Sequence, residues 1–177
     1  MLFRSVTGLA ETYLSKDVKG SQKSTLSISA YTINDGNKGS NYTVTTVTAA
    51  GTITAATLTI AAASKVKVYD ATTSASATPS VSGLFGTDTV SDLAEAYTSK
   101  NVAGVNKSTL TVTGYTVNDG NGGYNYAVTT ATASGTISAA SLAIVAVTDT
   151  KVYDGTTAST QSPVIAGLAD GDTATAV

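Results

Sequence analysis

The chain repeats itself at a period of 84 residues. Lys23-Ser24-Thr25-Leu26 returns as Lys107-Ser108-Thr109-Leu110, Asn34-Asp35-Gly36-Asn37 as Asn118-Asp119-Gly120-Asn121, and Tyr69-Asp70 as Tyr153-Asp154. Gly51 maps onto Gly135 and Pro79 onto Pro163 at the same offset, without insertion or deletion. About half of the 93 overlapping positions are identical. Such self-similarity marks a repeated structural unit, and any fold proposed for the chain must accommodate it. The 177 residues hold two periods and nine further residues. The expected organisation is an incomplete repeat over 1–56, a complete one over 57–140, and the start of a third over 141–177. Met1-Leu2-Phe3-Arg4-Ser5 does not match Phe85-Gly86-Thr87-Asp88-Thr89, and register is regained at Val6 and Leu9. Residues 1–5 are therefore read as an artefact outside the unit, and the whole as a slice of a longer array.

Within one period the apolar pattern is that of β-strands. Leu58-Thr59-Ile60 and Val66-Lys67-Val68 alternate with period two, as half-buried strands do. Leu110 and Val112 alternate, and Tyr115 and Val117 continue in the opposite phase. Gly114 at the switch, with Ala30 in its place in the first copy, predicts a β-bulge. Asn118-Asp119-Gly120-Asn121-Gly122-Gly123 is a turn cluster, because Asn and Gly tolerate positive φ. Tyr126 and Val128 resume the alternation, followed by Gly135-Thr136-Ile137. Seven or so short strands with frequent turns predict an all-β fold of tandem immunoglobulin-like β-sandwiches. Only Asp92 to Tyr97 could supply a helical turn. A β-solenoid is the alternative, but its rungs of roughly 20–30 residues should show a shorter period than 84.

Composition narrows the chemistry. The chain has no Cys, His or Trp, and Thr, Ala, Ser, Val and Gly make up about 64% of it. Disulfides, thiol nucleophiles and Cys-ligated metals are excluded, and the commonest general base and transition-metal ligand is missing. A net charge of −2 gives no basic field for nucleic acid or an anionic membrane. The longest apolar run, Ala139 to Val147, is nine residues with Ser141 inside it, against the ~20 of a spanning helix. No membrane insertion is expected, and the opening residues lack the apolar core of a signal peptide.

Three stretches carry a resemblance to a known family: Lys151-Val152-Tyr153-Asp154-Gly155-Thr156-Thr157, Lys100-Asn101-Val102-Ala103-Gly104, and the run from Gly120 through Asn125-Tyr126 to Gly135-Thr136-Ile137. Together, and in this order, the unit resembles the YDG repeat of large bacterial surface proteins, including filamentous-haemagglutinin-like adhesins, and the related immunoglobulin-like MBG repeats. The resemblance implies a tandem extracellular module of a long, secreted, cell-surface protein, with no catalytic residues. One departure stands out: Tyr69-Asp70 is followed by Ala71 where the later copy has Gly155. If that Gly serves a positive-φ turn, the first of the two must turn differently.

Each candidate site also has a structural reading. Tyr69-Asp70 and Tyr153-Asp154 are read as a tyrosine packed under the sheet and an aspartate capping the Thr72-Thr73 or Thr156-Thr157 amides. Tyr13, Tyr31 and Tyr42, with Tyr97, Tyr115 and Tyr126 at equivalent places, read as packing or cross-strand residues. Asp35, Asn37, Asp119 and Asn121 could ligate calcium, but no EF-hand pattern accompanies them and a hairpin turn explains them better. Asp149, Asp154, Asp170 and Asp172 could meet across an interface; Lys65 stands opposite Asp149 in the repeat, so such a site would not recur. Glu11 and Glu95 with Asp17 or Asp92 could be drawn as a glycosidase pair, which requires carboxyls about 5–10 Å apart in a cleft. No apolar cleft is suggested by their Thr/Ser/Ala-rich setting. Asn41-Tyr42-Thr43 and Asn106-Lys107-Ser108 are sequons by pattern only.

No catalytic, cofactor-binding or metal residue is assigned, calcium remaining the one cofactor in view. The expected function is a non-enzymatic stalk repeat of a bacterial cell-surface adhesin, spacing or multiplying adhesive contacts. Its partners are neighbouring repeats, and host-cell or surface glycans beyond them; nucleic acid is not among them. The alternative is a carbohydrate- or ice-binding module using a Thr face, for which Thr43, Thr45 and Thr129, or Thr109, Thr111 and Thr113, alternate suitably.

Overall fold

The computed structural model describes residues 4–175. Among these there is no helix, and the chain is all-β. The strands are β1 (Ser5–Tyr13), β2 (Ser24–Asn34), β3 (Ala49–Gly51), β4 (Ala56–Ala61), β5 (Val66–Val68) and β6 (Ser80–Ser82), followed by β7 (Thr89–Tyr97), β8 (Ser108–Asn118), β9 (Tyr126–Ala131), β10 (Ala133–Ser138), β11 (Ala143–Val145) and β12 (Val164–Ala166). Residues 56–138 supply seven of them, in a four-stranded sheet ordered β5-β10-β8-β7 and a three-stranded sheet ordered β6-β4-β9. This is the make-up of a β-sandwich. A solenoid would stack parallel rungs, whereas β10 pairs β8, β1 pairs β2 and β11 pairs β12 in antiparallel fashion.

Contacts group the chain into two compact units, one of Met1–Thr59, Val81–Ser91 and Thr116–Thr129, the other of Ile60–Ser80, Asp92–Tyr115 and Thr130–Val177. In the first, β1, β2 and β3 form a sheet in that order. The register runs from Ser5↔Asn34 to Tyr13↔Leu26 and shifts twice around Gly8 to Glu11, opposite Ile28 to Thr32. Gly8 and Leu9 share Tyr31, then Ser29 becomes the extra residue, and the two shifts cancel. The bulge expected at Ala30 is therefore shared between strands, and the left-handed turn within it belongs to Gly8, at φ +60°. Ser5, which the repeat pattern left out, opens β1 and accepts a hydrogen bond from the Asn34 amide at 3.4 Å. Met1, Leu2 and Phe3 lie outside the described residues.

The second unit holds a buried cluster of Tyr97, Leu110 and Ile137, with Ala62, Tyr69, Ala75 and Ala133 against it. These are the inward positions that period-two alternation assigns. The Tyr97 hydroxyl donates to the Lys65 carbonyl at 2.6 Å, so its polar end is satisfied within the core. Backbone closeness at this point requires Gly135. A Cβ there would lie 2.5 Å from Leu110 Cδ1, 2.7 Å from the Lys65 carbonyl oxygen and 2.9 Å from the Tyr97 ring.

Three expectations need correction. Asp92 to Tyr97 is not a helical turn but part of β7, with Asp92 at φ +55° marking the same kink that Gly8 makes in β1. The small residue at 114 is explained by that kink, since a Cβ on Gly114 would stand 3.3 Å from the Asp92 carbonyl oxygen. In β5 the alternation holds with inverted phase: Val66 and Val68 are exposed, and Lys67 turns inward. Its ammonium is satisfied there, donating to the Thr72 and Ser74 carbonyls at 2.9 and 3.1 Å and pairing with Asp70 at 2.7 Å. Finally, Ala71 and Gly155 make the same turn, at φ +61° and +73°. The Asp70 carboxylate accepts from both the amide and the hydroxyl of Thr72, at 2.9 and 2.8 Å, and this grip fixes the turn whatever residue stands between.

Two substitutions probe these features by thermal or denaturant unfolding. Gly135→Ala should destabilise by about 1–3 kcal/mol through overpacking. Ala71→Gly should stabilise by about 1 kcal/mol, because a Cβ in the left-handed region is unfavourable by roughly that amount.

Candidate functional site

The residues with the richest side-chain chemistry gather where one copy meets the next, and the same pair stands at each junction. In the first unit Lys16 faces Asp88 at 3.9 Å; in the second, 84 residues on, Lys100 faces Asp172 at 3.9 Å. Each aspartate also accepts a tyrosine hydroxyl, Tyr126 at 2.8 Å for Asp88 and Tyr69 at 2.9 Å for Asp172. Tyr126 in turn accepts the Phe85 N–H at 2.9 Å, so its hydroxyl both gives and receives while the residue as a whole is 7% exposed. Burial pushes its pKa up, and Asp88 adds to the rise.

A second contact in the first unit uses the turn cluster. Asn121 and Asn125 bond each other at 2.9 Å and clamp the backbone of Val18 between them. The Val18 N–H donates to Asn125 Oδ1 at 2.9 Å, and Asn121 Nδ2 donates to the Val18 carbonyl at 3.2 Å. The clamp is held by Asp119, which accepts the N–H groups of Asn121, Gly123 and Asn125 at 2.8, 2.8 and 3.0 Å. Burial alone would raise the Asp119 pKa, but these three donors outweigh it and hold the carboxyl below its ordinary value. Asp35 does the same work in the first copy, lowered by the Gly39 and Asn37 amides. Of the residues considered as calcium ligands, Asp35 and Asp119 thus have their carboxylates turned onto backbone amides, which organises a turn, while Asn37 and Asn121 donate their side-chain amides to Asn41 and Asn125.

The other candidates disperse. Asp149 accepts from Thr150, Ser159 and Thr160, Asp154 pairs with Lys151 at 2.9 Å, and Asp172 serves the junction. Glu95 is buried and accepts the Ala63 N–H at 2.7 Å, whereas Glu11 is exposed on β1. Among the described residues Glu95 Oε1 has no hydrogen-bond partner. Asp70 and Asp154 cap through Thr72 and Thr156, as the capping reading has it. Tyr69 packs on the core, but Tyr153 is 92% exposed. Of the six recurring tyrosines, Tyr97 and Tyr126 are buried, and Tyr13, Tyr31, Tyr42 and Tyr115 remain substantially exposed. Thr109, Thr111 and Thr113 lie along β8 and Thr129 on β9, while Thr43 and Thr45 belong to no strand. The junction pairs are what pattern reading missed. Their signal was the recurrence of Lys16 as Lys100 and Asp88 as Asp172, which marks positions without saying which of them meet.

Two measurements test this geometry. Tyr126→Phe leaves Asp88 and the Phe85 amide short of a partner and should cost about 1–3 kcal/mol in unfolding free energy. Tyr42→Phe, the same repeat position half exposed, should stay within about 0.5 kcal/mol of the parent. The Asp70 carboxyl is held down to about 2 from 3.8, chiefly by the Lys67 ammonium and then by Thr72. A depressed carboxylate stabilises fully above its unfolded pKa and loses that contribution as pH falls through its folded pKa. The melting temperature should therefore fall between pH 4 and pH 2, and Asp70→Asn should flatten that fall.

No curated protein and no solved structure matches the chain. Residues 54–133, from just before β4 into the start of β10, match the family model described as the YDG domain.

Proposed function

We propose that the chain is a non-catalytic structural repeat from the stalk of a large secreted bacterial surface adhesin. The observation that carries this reading is the recurrence, 84 residues apart, of the same Lys–Asp contact at 3.9 Å between one copy and the next. A contact that repeats with the sequence lets any number of copies be joined by one rule. Such an array holds a distal binding domain away from the envelope, or multiplies weak contacts by tethering them. The low charge and the turned-in carboxylates support a structural role over a chemical one. The YDG domain supports the same reading by its kind.

A protease-shaving blot tests it. Antibody raised against the full chain should detect a very large band in the source cells, and the band should vanish when intact cells are treated with external protease. A small, protected band would overturn both the surface location and the adhesin role.

A further inference from the structure

The clamp on Val18 is built around a dipeptide that is chemically unstable. Asn121 is followed by Gly122, and glycine has no side chain to shield its backbone nitrogen. In an Asn-Gly pair that nitrogen attacks the Asn Cγ: a C–N bond forms, the Cγ–Nδ2 bond breaks and ammonia leaves. Water then opens the cyclic imide at either carbonyl, giving aspartate or isoaspartate. Water is the only co-reactant, and nothing is oxidised or reduced. The attack begins with loss of the Gly122 amide proton, so base speeds it.

In the fold the carboxamide is held. Asn121 Nδ2 donates to Asn125 Oδ1 at 2.9 Å and to the Val18 carbonyl at 3.2 Å. The buried Asp119 takes the N–H groups on either side of Gly122, those of Asn121 and Gly123, both at 2.8 Å. Turning Cγ onto the Gly122 nitrogen gives up both side-chain bonds and works against a turn pinned at two points. The first copy carries the same turn with a different neighbour. Asn37 donates to Asn41 at 3.0 Å, but Lys38 follows it, at φ +52° where Gly122 has +66°.

We infer that Asn121 is a self-modification site guarded by the clamp: its amide survives while Val18 is held, and converts to an acid once the clamp opens. Local opening of this kind does not require the whole unit to unfold. The step runs one way because of what the product lacks. A carboxylate has no N–H to donate, yet at position 121 it faces the Val18 carbonyl and Asn125 Oδ1, both acceptors. Isoaspartate, in addition, inserts a carbon into the backbone between the two amides that Asp119 holds. Each opening of the clamp is thus recorded in the covalent structure, at Asn121 and not at Asn37.

Peptide mapping by mass spectrometry tests this on the full-length chain held at mildly alkaline pH, with and without urea. In urea Asn121 should convert while Asn37 stays an amide. In the folded chain conversion should be at least about tenfold slower, the combined worth of two hydrogen bonds. Asn125→Ala removes one acceptor and should speed conversion about fivefold; a melting temperature above that of the incubation checks that it is folded, and Asn125→Ser serves if alanine prevents folding. Gly122→Lys, which installs what the first copy carries in the same conformation, should abolish conversion. Asn121→Asp supplies one product, and its Val18 amide should undergo hydrogen exchange about tenfold faster than in the parent. Equal rates with and without urea would overturn the inference, as would no conversion in urea, or equal rates in the parent and the Asn125 variant. So would equal conversion at Asn37, conversion that survives Gly122→Lys, or a Val18 amide no faster to exchange in Asn121→Asp.

Discussion

Pairing between strands some 70 residues apart, β4 with β9 and β5 with β10, is what the rest of the molecule depends on. A strand cannot satisfy its amides and carbonyls alone, so it exists only where a partner is supplied. Tyr42-Thr43-Val44-Thr45-Thr46-Val47 and Tyr126-Ala127-Val128-Thr129-Thr130-Ala131 are nearly the same segment. The second is β9, held by the Ala56 and Ala62 amides, and the first has no strand at all. Lys151 to Tyr153 stands in the same relation to β5, which exists because β10 lies beside it. Burial follows pairing: Leu58 and Ile60 are enclosed, and their repeat partners are not.

The same contrast explains what could be read in advance. The strands of the middle copy were legible because Leu58, Ile60, Leu110 and Ile137 alternate with small polar residues, and a half-buried sheet demands that spacing. The turn at 118–123 was legible from its Asn and Gly residues, and Asp119 binds its amides as such turns do. Lys67 was misread because its solvation comes from the Thr72 and Ser74 carbonyls, and a one-dimensional pattern does not show a loop folding back over a strand. Ala71 was misread for a similar reason. Composition at one position suggested a different turn, but the Asp70 grip on Thr72 sets the geometry from outside that position. The candidate site was the least legible, since pairing Lys16 with Asp88 depends on where two loops arrive.

A chain this poor in charge places its charges with economy. Lys16, Lys67, Lys100 and Lys151 each meet an aspartate, two at junctions and two at Tyr-Asp turns. Among the described residues Asp35 and Asp119 pair with no cation and bind amides instead. Elsewhere threonine supplies polarity without charge, and its branched Cβ suits the extended backbone. The recurring contacts thus use few side chains per copy, leaving the others free to vary, as about half of the overlapping positions do.

The parallel pairing of β5 with β10 has a mechanical side. One strand lies near the start of the 84-residue unit and the other near its end, and they run in the same direction. Tension drawn along the polypeptide therefore slides the two past each other instead of peeling them apart. Peeling would break their hydrogen bonds one at a time, whereas sliding loads Thr136, Ile137 and Ser138 against Val66, Lys67 and Val68 together. A tether made of such units would resist extension at the strands where each one is entered and left.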